Sequence, residues 1–159
     1  MATDTGGGGG GSAWTWLRPH SHANQIFIKL KRIRTIQDVG SRKVKDSLDG
    51  DILGALNYAA MGLSRIRGDV AQDAKLTEDV FKSFMEKSFA DAKAIFQDKN
   101  HDYGEAWRDL SISTMIDLMM VKLERLRKIK RNGGETIASE GADASYVDIM
   151  NYCIFCLIL

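Results

Sequence analysis

The feature that most constrains the fold of this chain is an internal repeat. Residues 11–34 align with residues 104–127 without a gap at an offset of 93, which pairs Lys29 with Lys122 and Arg32 with Arg125. After a loop of different length the offset becomes 94. It then sets Asp46, Asp49, Asn57 and Tyr58 on Glu140, Asp143, Asn151 and Tyr152. We therefore predict one structural module that occurs twice.

Apolar spacing predicts that the module is helical. Apolar residues recur at intervals of three and four in residues 23–36, 52–68 and 77–99, with Thr77 as an N-cap. Residues 100–104 break the pattern, and two further helices are expected from Ser113 or Thr114 to Arg131 and from Asp143 onward. No stretch alternates with period two, so we expect an all-α bundle of about five helices without a sheet.

Composition agrees with a globular helical protein, since 44% of the residues are hydrophobic, 27% are charged and one is proline. We predict a flexible glycine-rich segment at residues 1–11 and a degenerate first repeat at 12–68. A linker at 69–76 then precedes a complete second repeat at 77–159. The first repeat lacks an opening helix, which would leave apolar surface uncovered, so self-association into a homo-oligomer is expected.

Charge and hydropathy limit the possible partners. The net charge of +1 gives no overall bias toward nucleic acid or anionic membranes, so recognition would rest on local patches. The N-terminus carries no signal-like segment, and the apolar run 149–159 is shorter than the roughly 20 residues of a spanning helix. We expect a cytoplasmic protein with no membrane partner. Cys153 and Cys156 are interpreted as core thiols, because further metal ligands or an activating helix N-terminus are not evident.

Acidic residues mark a candidate site in the last helix. At 100° per residue, Glu140, Asp143, Asp148 and Asn151 fall within an arc of roughly 140°. Carboxylates on an otherwise apolar helix are costly to bury unless they are paired or bind a cation. Oxygen ligands favour Mg²⁺, with Mn²⁺ as a substitute. The alternative is that Glu140 and Asp143 only stabilise the helix N-terminus.

Basic residues on the preceding helix complete the candidate site. Lys122 and Arg125 lie three apart on one side, where they could hold phosphate groups. Asp102 and Tyr103 precede this helix and could add a carboxylate and a stacking surface. The first repeat has Gly54 in place of Asp148, which makes it mainly a scaffold. The alternative is a solvated face of paired charges.

Several strings of the second half carry a family resemblance. They are Lys99-Asn100-His101-Asp102-Tyr103-Gly104, Ala106-Trp107, Lys122-Leu123-x-Arg125-Leu126-Arg127, Glu140-x-x-Asp143 and Asp148-Ile149-x-Asn151-Tyr152. Together they resemble the helical family first called domain of unknown function 1599 and renamed nucleotide modification associated domain 1, in its tandem form with a degenerate first copy. The resemblance implies an all-α protein associated with nucleotide or nucleic-acid modification. The layout is more distantly similar to MazG-type all-α nucleoside triphosphate pyrophosphohydrolases, although their Glu-Glu-x-x-Glu motif does not occur here.

Three functional hypotheses follow. In the first, the protein is a Mg²⁺-dependent nucleoside triphosphate hydrolase. Its metal ligands are Glu140, Asp143 and Asp148, its catalytic groups are Asp102 and Glu140, and its nucleotide-binding residues are Lys122, Arg125, Asn151 and Tyr103. In the second, it binds nucleotide, nucleic acid or a protein without catalysis. In the third, it is a purely structural pseudo-dimer.

Overall fold

Helices account for nearly all of the described structure. The computed structural model describes residues 19–40, 48–70, 77–131 and 136–159, and within these the side chains of 19, 20, 129–131 and 136–140 are not described. In chain order the elements are α1 Pro19–Val39, α2 Leu48–Ile66, α3 Glu78–Tyr103, a 3₁₀ turn Ala106–Asp109, α4 Ile112–Arg131 and α5 Thr136–Ile158. These ranges contain no strand, which confirms the predicted all-α fold of five helices.

Each helix differs from the prediction at one end or both. α1 and α2 each begin four residues earlier than predicted, at Pro19 and Leu48. α3 continues through residues 100–103 and ends at Gly104, whose backbone has φ 59° and whose N–H donates to the carbonyl oxygen of Asn100. The predicted break at residue 100 is therefore wrong, because weak helix formers do not end a helix whose backbone hydrogen bonds continue to a glycine cap. α4 is capped by Ser111, whose Oγ accepts from the N–H of Thr114 at 3.1 Å. α5 begins at Thr136 rather than near Asp143. Thr77 is confirmed as the N-cap of α3, since its side chain accepts from the N–H of Val80.

The helices pack as two antiparallel pairs with α3 added to one side. α1 packs on α2 and α4 on α5, while α2 against α5 forms the centre of the bundle. α3 contacts both α2 and α5. The close approach at the centre requires Gly62 of α2, because a Cβ at this position would lie 2.7 Å from Cζ of Tyr146 on α5. One continuous apolar core runs through all five helices.

Corresponding residues of the two repeats occupy corresponding places. Lys122 of α4 pairs with Asp148 of α5, and in the first repeat the Lys29 side chain lies against Gly54, which replaces that aspartate. The helix pairs α1–α2 and α4–α5 are therefore equivalent in packing as well as in sequence.

Some predictions fall outside the described part of the chain. They include the glycine-rich segment, the residues around Trp14 and most of the linker at 69–76. The boundaries of the repeats and the homo-oligomer stay predictions. Across the described ranges, no helix combines the length and apolar character needed to cross a membrane.

Candidate functional site

The most prominent polar group between α3, α4 and α5 is an ion-paired triad centred on Asp148. Lys99 of α3 donates to Oδ1 of Asp148 at 3.0 Å, and Lys122 of α4 lies 3.0 Å from its Oδ2. The Asp148 side chain is only 17% exposed, whereas Lys99 is 56% exposed. One carboxylate thus holds two ammonium groups together, which leaves the triad with a net positive charge.

A cavity of about 240 Å³ opens beside this triad. The last two turns of α3, the 3₁₀ turn and the middle of α5 form its walls. The lining residues are Phe96, Lys99, Asn100, Tyr103, Ala106, Trp107, Leu110, Asp148, Asn151, Tyr152 and Phe155. The cavity is thus mainly aromatic and apolar, with a few polar groups and the charged triad at one side, as is usual for small-molecule sites.

Aromatic stacking builds the floor of the cavity. Trp107 stacks on Phe155 with ring centroids 4.3 Å apart and planes 11° from parallel, and Phe96 meets Phe155 edge-on at 5.1 Å. Arg108 covers the Trp107 ring at 4.4 Å. The chain reaches this position by a reversal at Gly104 and Glu105, both with positive φ. For glutamate such a backbone is strained, and strain of this kind often accompanies a functional site.

Two buried polar atoms of the lining residues have no hydrogen-bond partner among the described residues. They are Oδ1 of Asn100 and Nε1 of Trp107, an acceptor and a donor. Asn151, by contrast, donates through Nδ2 to the carbonyl oxygen of Ala92 at 3.1 Å, which ties α5 to α3. Since buried polar groups are nearly always paired, the two unpaired atoms are suited to a ligand with complementary groups.

The predicted site residues do not all lie together. Tyr103, Lys122, Asp148 and Asn151 meet at or beside the cavity. Asp143 instead faces Arg67, the residue that follows α2, and Nε of Arg67 lies 3.7 Å from Oδ2 of Asp143.

The other predicted residues lie elsewhere. Asp102 is 75% exposed beside His101, and Arg125 lies one turn beyond Lys122 against Gly141. The side chain of Glu140 lies outside the described residues.

A comparison with protein families identifies the kind of domain to which this site belongs. The family described as nucleotide modification associated domain 1 matches residues 10–66 and 99–159, two regions that correspond to the two repeats. The chain belongs to this family. No curated protein and no solved structure matches the chain. The similarity to MazG-type enzymes stays a prediction.

The predicted metal site of this family member stays a prediction. No three described side chains of histidine, cysteine, aspartate or glutamate lie close enough together to hold an ion. Asp148 has lysines on both oxygens, and Arg67 lies between Asp143 and Asp91. The side chain of Glu140 is not among those described, so its role as a ligand and the binding of Mg²⁺ stay predictions.

Sequence reasoning missed Phe96, Lys99 and Asn100, which line the cavity. With Tyr103, which was predicted, they follow the spacing i, i+3, i+4 and i+7 that defines one face of a helix. This face became hidden when the helix was predicted to end at residue 99. The string Lys99-Asn100 already belonged to the family resemblance, and that signal could have found both residues.

The cysteines take no part in the site. Cys153 and Cys156 are buried, and their sulfurs lie 3.6 Å and 3.8 Å from the sulfurs of Met119 and Met115. Burial raises the pKa of Cys156 to about 11 and that of Cys153 further, so neither is a reactive thiolate. Their interpretation as core thiols is confirmed.

Proposed function

We propose that this member of the family binds a single nucleotide, with the base in the aromatic cavity and a phosphate group beside Lys99 and Lys122. The observation that supports this most directly is one cavity with three kinds of recognition group. It offers stacking surfaces, an unpaired buried donor with an unpaired buried acceptor, and a positively charged rim.

The cavity suits a nucleobase in size and chemistry. Its volume of about 240 Å³ lies just below the roughly 300–1,000 Å³ of pockets for drug-sized ligands. A base stacks on aromatic side chains such as Tyr103 and Tyr152, each stack contributing about 1–3 kcal/mol. Bases also carry donors and acceptors along one edge. Nε1 of Trp107 and Oδ1 of Asn100 are complementary to such an edge.

The charged triad suits a phosphate group. Each lysine ammonium has three donors, and Asp148 uses one donor of Lys99 and one of Lys122. The remaining donors are available to an anion, since the carboxylate positions both ammonium groups and neutralises only one of them. Hydrogen bonds between ammonium and phosphate are stronger than neutral ones because both partners are charged.

A Mg²⁺-dependent hydrolysis of nucleoside triphosphates is the second candidate function. The observation that favours it is Oδ1 of Asp143, a buried carboxylate oxygen with no hydrogen-bond partner in the described part of the chain. In this proposal Asp143 holds the ion with Glu140, since both oxygens of Asp148 lie on lysines and Asp102 lies beside His101. Phosphate release that depends on added Mg²⁺ and is lost in Asp143→Asn would support it. Binding without turnover at any Mg²⁺ concentration would refute it.

Calorimetric titration with nucleosides and nucleoside monophosphates tests the primary proposal. We expect Ala106→Phe to abolish binding of both, because the new ring would fill the mouth of the cavity. Ala94→Phe is the matched control, since Ala94 is exposed on α3 away from the lining. Equal binding by the wild type and Ala106→Phe would refute the proposal, as would the absence of binding to every nucleoside and nucleotide.

The same titration separates base from phosphate. We expect Lys99→Gln to weaken monophosphate binding by about tenfold, while nucleoside binding stays the same. Lys93→Gln, an exposed lysine on α3 that does not line the cavity, should change neither. An equal effect of Lys99→Gln on nucleoside and monophosphate would contradict a phosphate position beside this lysine.

A further inference from the structure

The two repeats share a Lys-x-x-Arg motif but neutralise different members of it. In the first repeat Arg32 pairs with Asp51, while Lys29 lies against Gly54. In the second repeat the lysine is the paired residue, through Lys122 and Asp148. The residue that aligns with Asp51 at the offset of 94 is Ser145. The arginine of the motif therefore has the acidic partner in the first repeat, and the lysine has it in the second.

This exchange leaves the Arg125 charge without a described acidic partner. Its guanidinium lies against the backbone of Gly141, where an added Cβ would be 2.9 Å from Nη2. No described carboxylate lies within ion-pair distance of Arg125, and the residue is exposed. Ser145, which takes the place of the aspartate, is 1% exposed, and its Oγ has no partner among the described residues. A serine can accept a hydrogen bond from a guanidinium but supplies no opposing charge.

The position of Arg125 relates it to the charged triad. Lys122 and Arg125 are three residues apart on α4, which corresponds to about 4.5 Å along the helix axis and places both on one side. Lys122 pairs with Asp148, which lines the cavity, so Arg125 continues the positive charge along α4 from this pair. A guanidinium can hold two oxygens of one phosphate in parallel hydrogen bonds.

We propose that Arg125, which lies against Gly141 and has a serine where the first repeat has an aspartate, forms a polyphosphate subsite, so that the ligand of this domain is a nucleoside di- or triphosphate. The inference rests on the proposed function, because the base of such a ligand occupies the cavity. The first phosphate lies beside Lys99 and Lys122, and the terminal phosphates extend to Arg125. Gly141 leaves the space that the guanidinium needs. Because Ser145 carries no charge, the positive charge of the guanidinium is not neutralised from this position.

Restoring the acid of the first repeat tests this subsite. Ser145→Asp gives Arg125 the partner that Arg32 already has. We expect it to weaken binding of inorganic tripolyphosphate and of a nucleoside triphosphate on the order of tenfold or more, with nucleoside binding unchanged. Ser145→Asn is the uncharged control of similar size and should retain tripolyphosphate binding. Asp51→Ser makes the reciprocal change in the first repeat and should leave binding of the nucleoside and the nucleoside triphosphate within about twofold of the wild type.

Binding of a nucleoside, a nucleoside triphosphate and tripolyphosphate distinguishes the base site from the polyphosphate subsite. Tripolyphosphate binding that Ser145→Asp weakens, without any nucleoside binding, would support the subsite and refute the base site. Nucleoside binding with a tripolyphosphate affinity that Ser145→Asp leaves unchanged would refute the subsite alone. Arg125→Gln changes an exposed side chain and should weaken tripolyphosphate binding as Ser145→Asp does. Should Ser145→Asp fail to fold, this second variant decides the question.

The remaining alternative is that Glu140 is the acidic partner of Arg125, because Glu140 adjoins Gly141 and its side chain is not described. A carboxylate from Glu140 on Arg125 would neutralise the subsite. In that case Glu140→Gln would increase tripolyphosphate affinity about tenfold and Ser145→Asp would have little effect. This result would overturn the inference. We expect Glu140→Gln to change tripolyphosphate affinity by less than about twofold.

Discussion

At the scale of single residues, two helical glycines meet their neighbours at similar distances but with opposite consequences. A Cβ at Gly62 would lie 2.7 Å from Cζ of Tyr146, and one at Gly141 would lie 2.9 Å from Nη2 of Arg125. Tyr146 is 2% exposed and packed on all sides, whereas Arg125 is exposed and ends in a flexible group. The stability of the fold therefore depends on the first glycine much more than on the second.

We predict that Gly62→Ala destabilises the fold and that Gly141→Ala does not. Gly62→Ala should destabilise by about 1–3 kcal/mol, because the Tyr146 ring has no room to move. Gly141→Ala should be neutral or stabilise by up to about 1 kcal/mol, because alanine favours a helix and Arg125 can swing away. Urea denaturation measures both. A similar loss of stability in the two variants would mean that Arg125 is held as firmly as Tyr146.

His22 should make stability depend on pH. Burial, together with the charge of Arg65, lowers its pKa from 6.5 to about 4. Between pH 6.5 and about 4, His22 therefore binds a proton in the unfolded chain but not in the folded chain. Stability is therefore complete above pH 6.5 and is lost as pH falls toward 4, by up to about 3 kcal/mol.

The repeat supplies the control for this pH dependence. Met115 aligns with His22 at the offset of 93, so His22→Met places at this position the residue of the second repeat. We expect this variant to show a flatter decline of stability between pH 6.5 and 4, measured by urea denaturation at each pH. An equal slope in both proteins would mean that other groups cause the decline.

At the scale of elements, α3 supplies four of the eleven residues that line the cavity and is also the least buried helix. Four of its 26 residues are buried, against ten of 19 in α2. Its attachments include the Asn151 hydrogen bond to α5, the contact of Ser88 with Ser64 of α2, and the ion pair of Asp91 with Arg67, which follows α2. A helix with few buried contacts opens more readily than one in the core.

We predict that α3 exchanges its amide hydrogens faster than α2 and that a nucleotide slows the exchange. The ligand bridges α3 and α5 across the cavity, so it stabilises the closed arrangement by mass action. Hydrogen–deuterium exchange with mass spectrometry would resolve the two helices. Peptides of α1 serve as the internal control, because this helix does not line the cavity. Protection by nucleotide that is equal in α1 and α3 would argue against a site between α3 and α5.

Helix identity and helix ends were predictable to different degrees. Apolar spacing identified all five helices, because the pattern reflects the burial of one face along many residues. The ends of α3 and α5 were wrong by four and seven residues. A helix end depends on local caps and on whatever packs against its last turn, and the second influence is tertiary. The error in α3 hid the residues that form the cavity.

At the scale of the whole molecule, the two repeats share one core. Apolar residues of α1 and α2 are continuous with those of α4 and α5, and α2 packs directly on α5. Neither helix pair buries its apolar face alone. The repeat is thus a unit of sequence that requires its second copy for stability.

We predict that the chain unfolds in a single cooperative transition. Far-ultraviolet circular dichroism and tryptophan fluorescence should give the same midpoint in urea, because loss of either repeat exposes the core of the other. Leu63→Ala and Leu123→Ala, each in a different repeat and buried, should lower both midpoints together. Two separate transitions would show that the repeats are independent domains.

The sequence by itself determined the helical class, the duplication and the family, because periodicity and repetition are properties of the order of residues. It also singled out Asp148, Lys122, Tyr103 and Asn151, which lie at or beside the cavity. It did not show that Asp143 turns to Arg67, or that Lys99 and Asn100 join the cavity. Those facts depend on how α3 crosses α2 and α5, where side chains far apart in the chain compete for the same partners, and only the tertiary structure decides that competition.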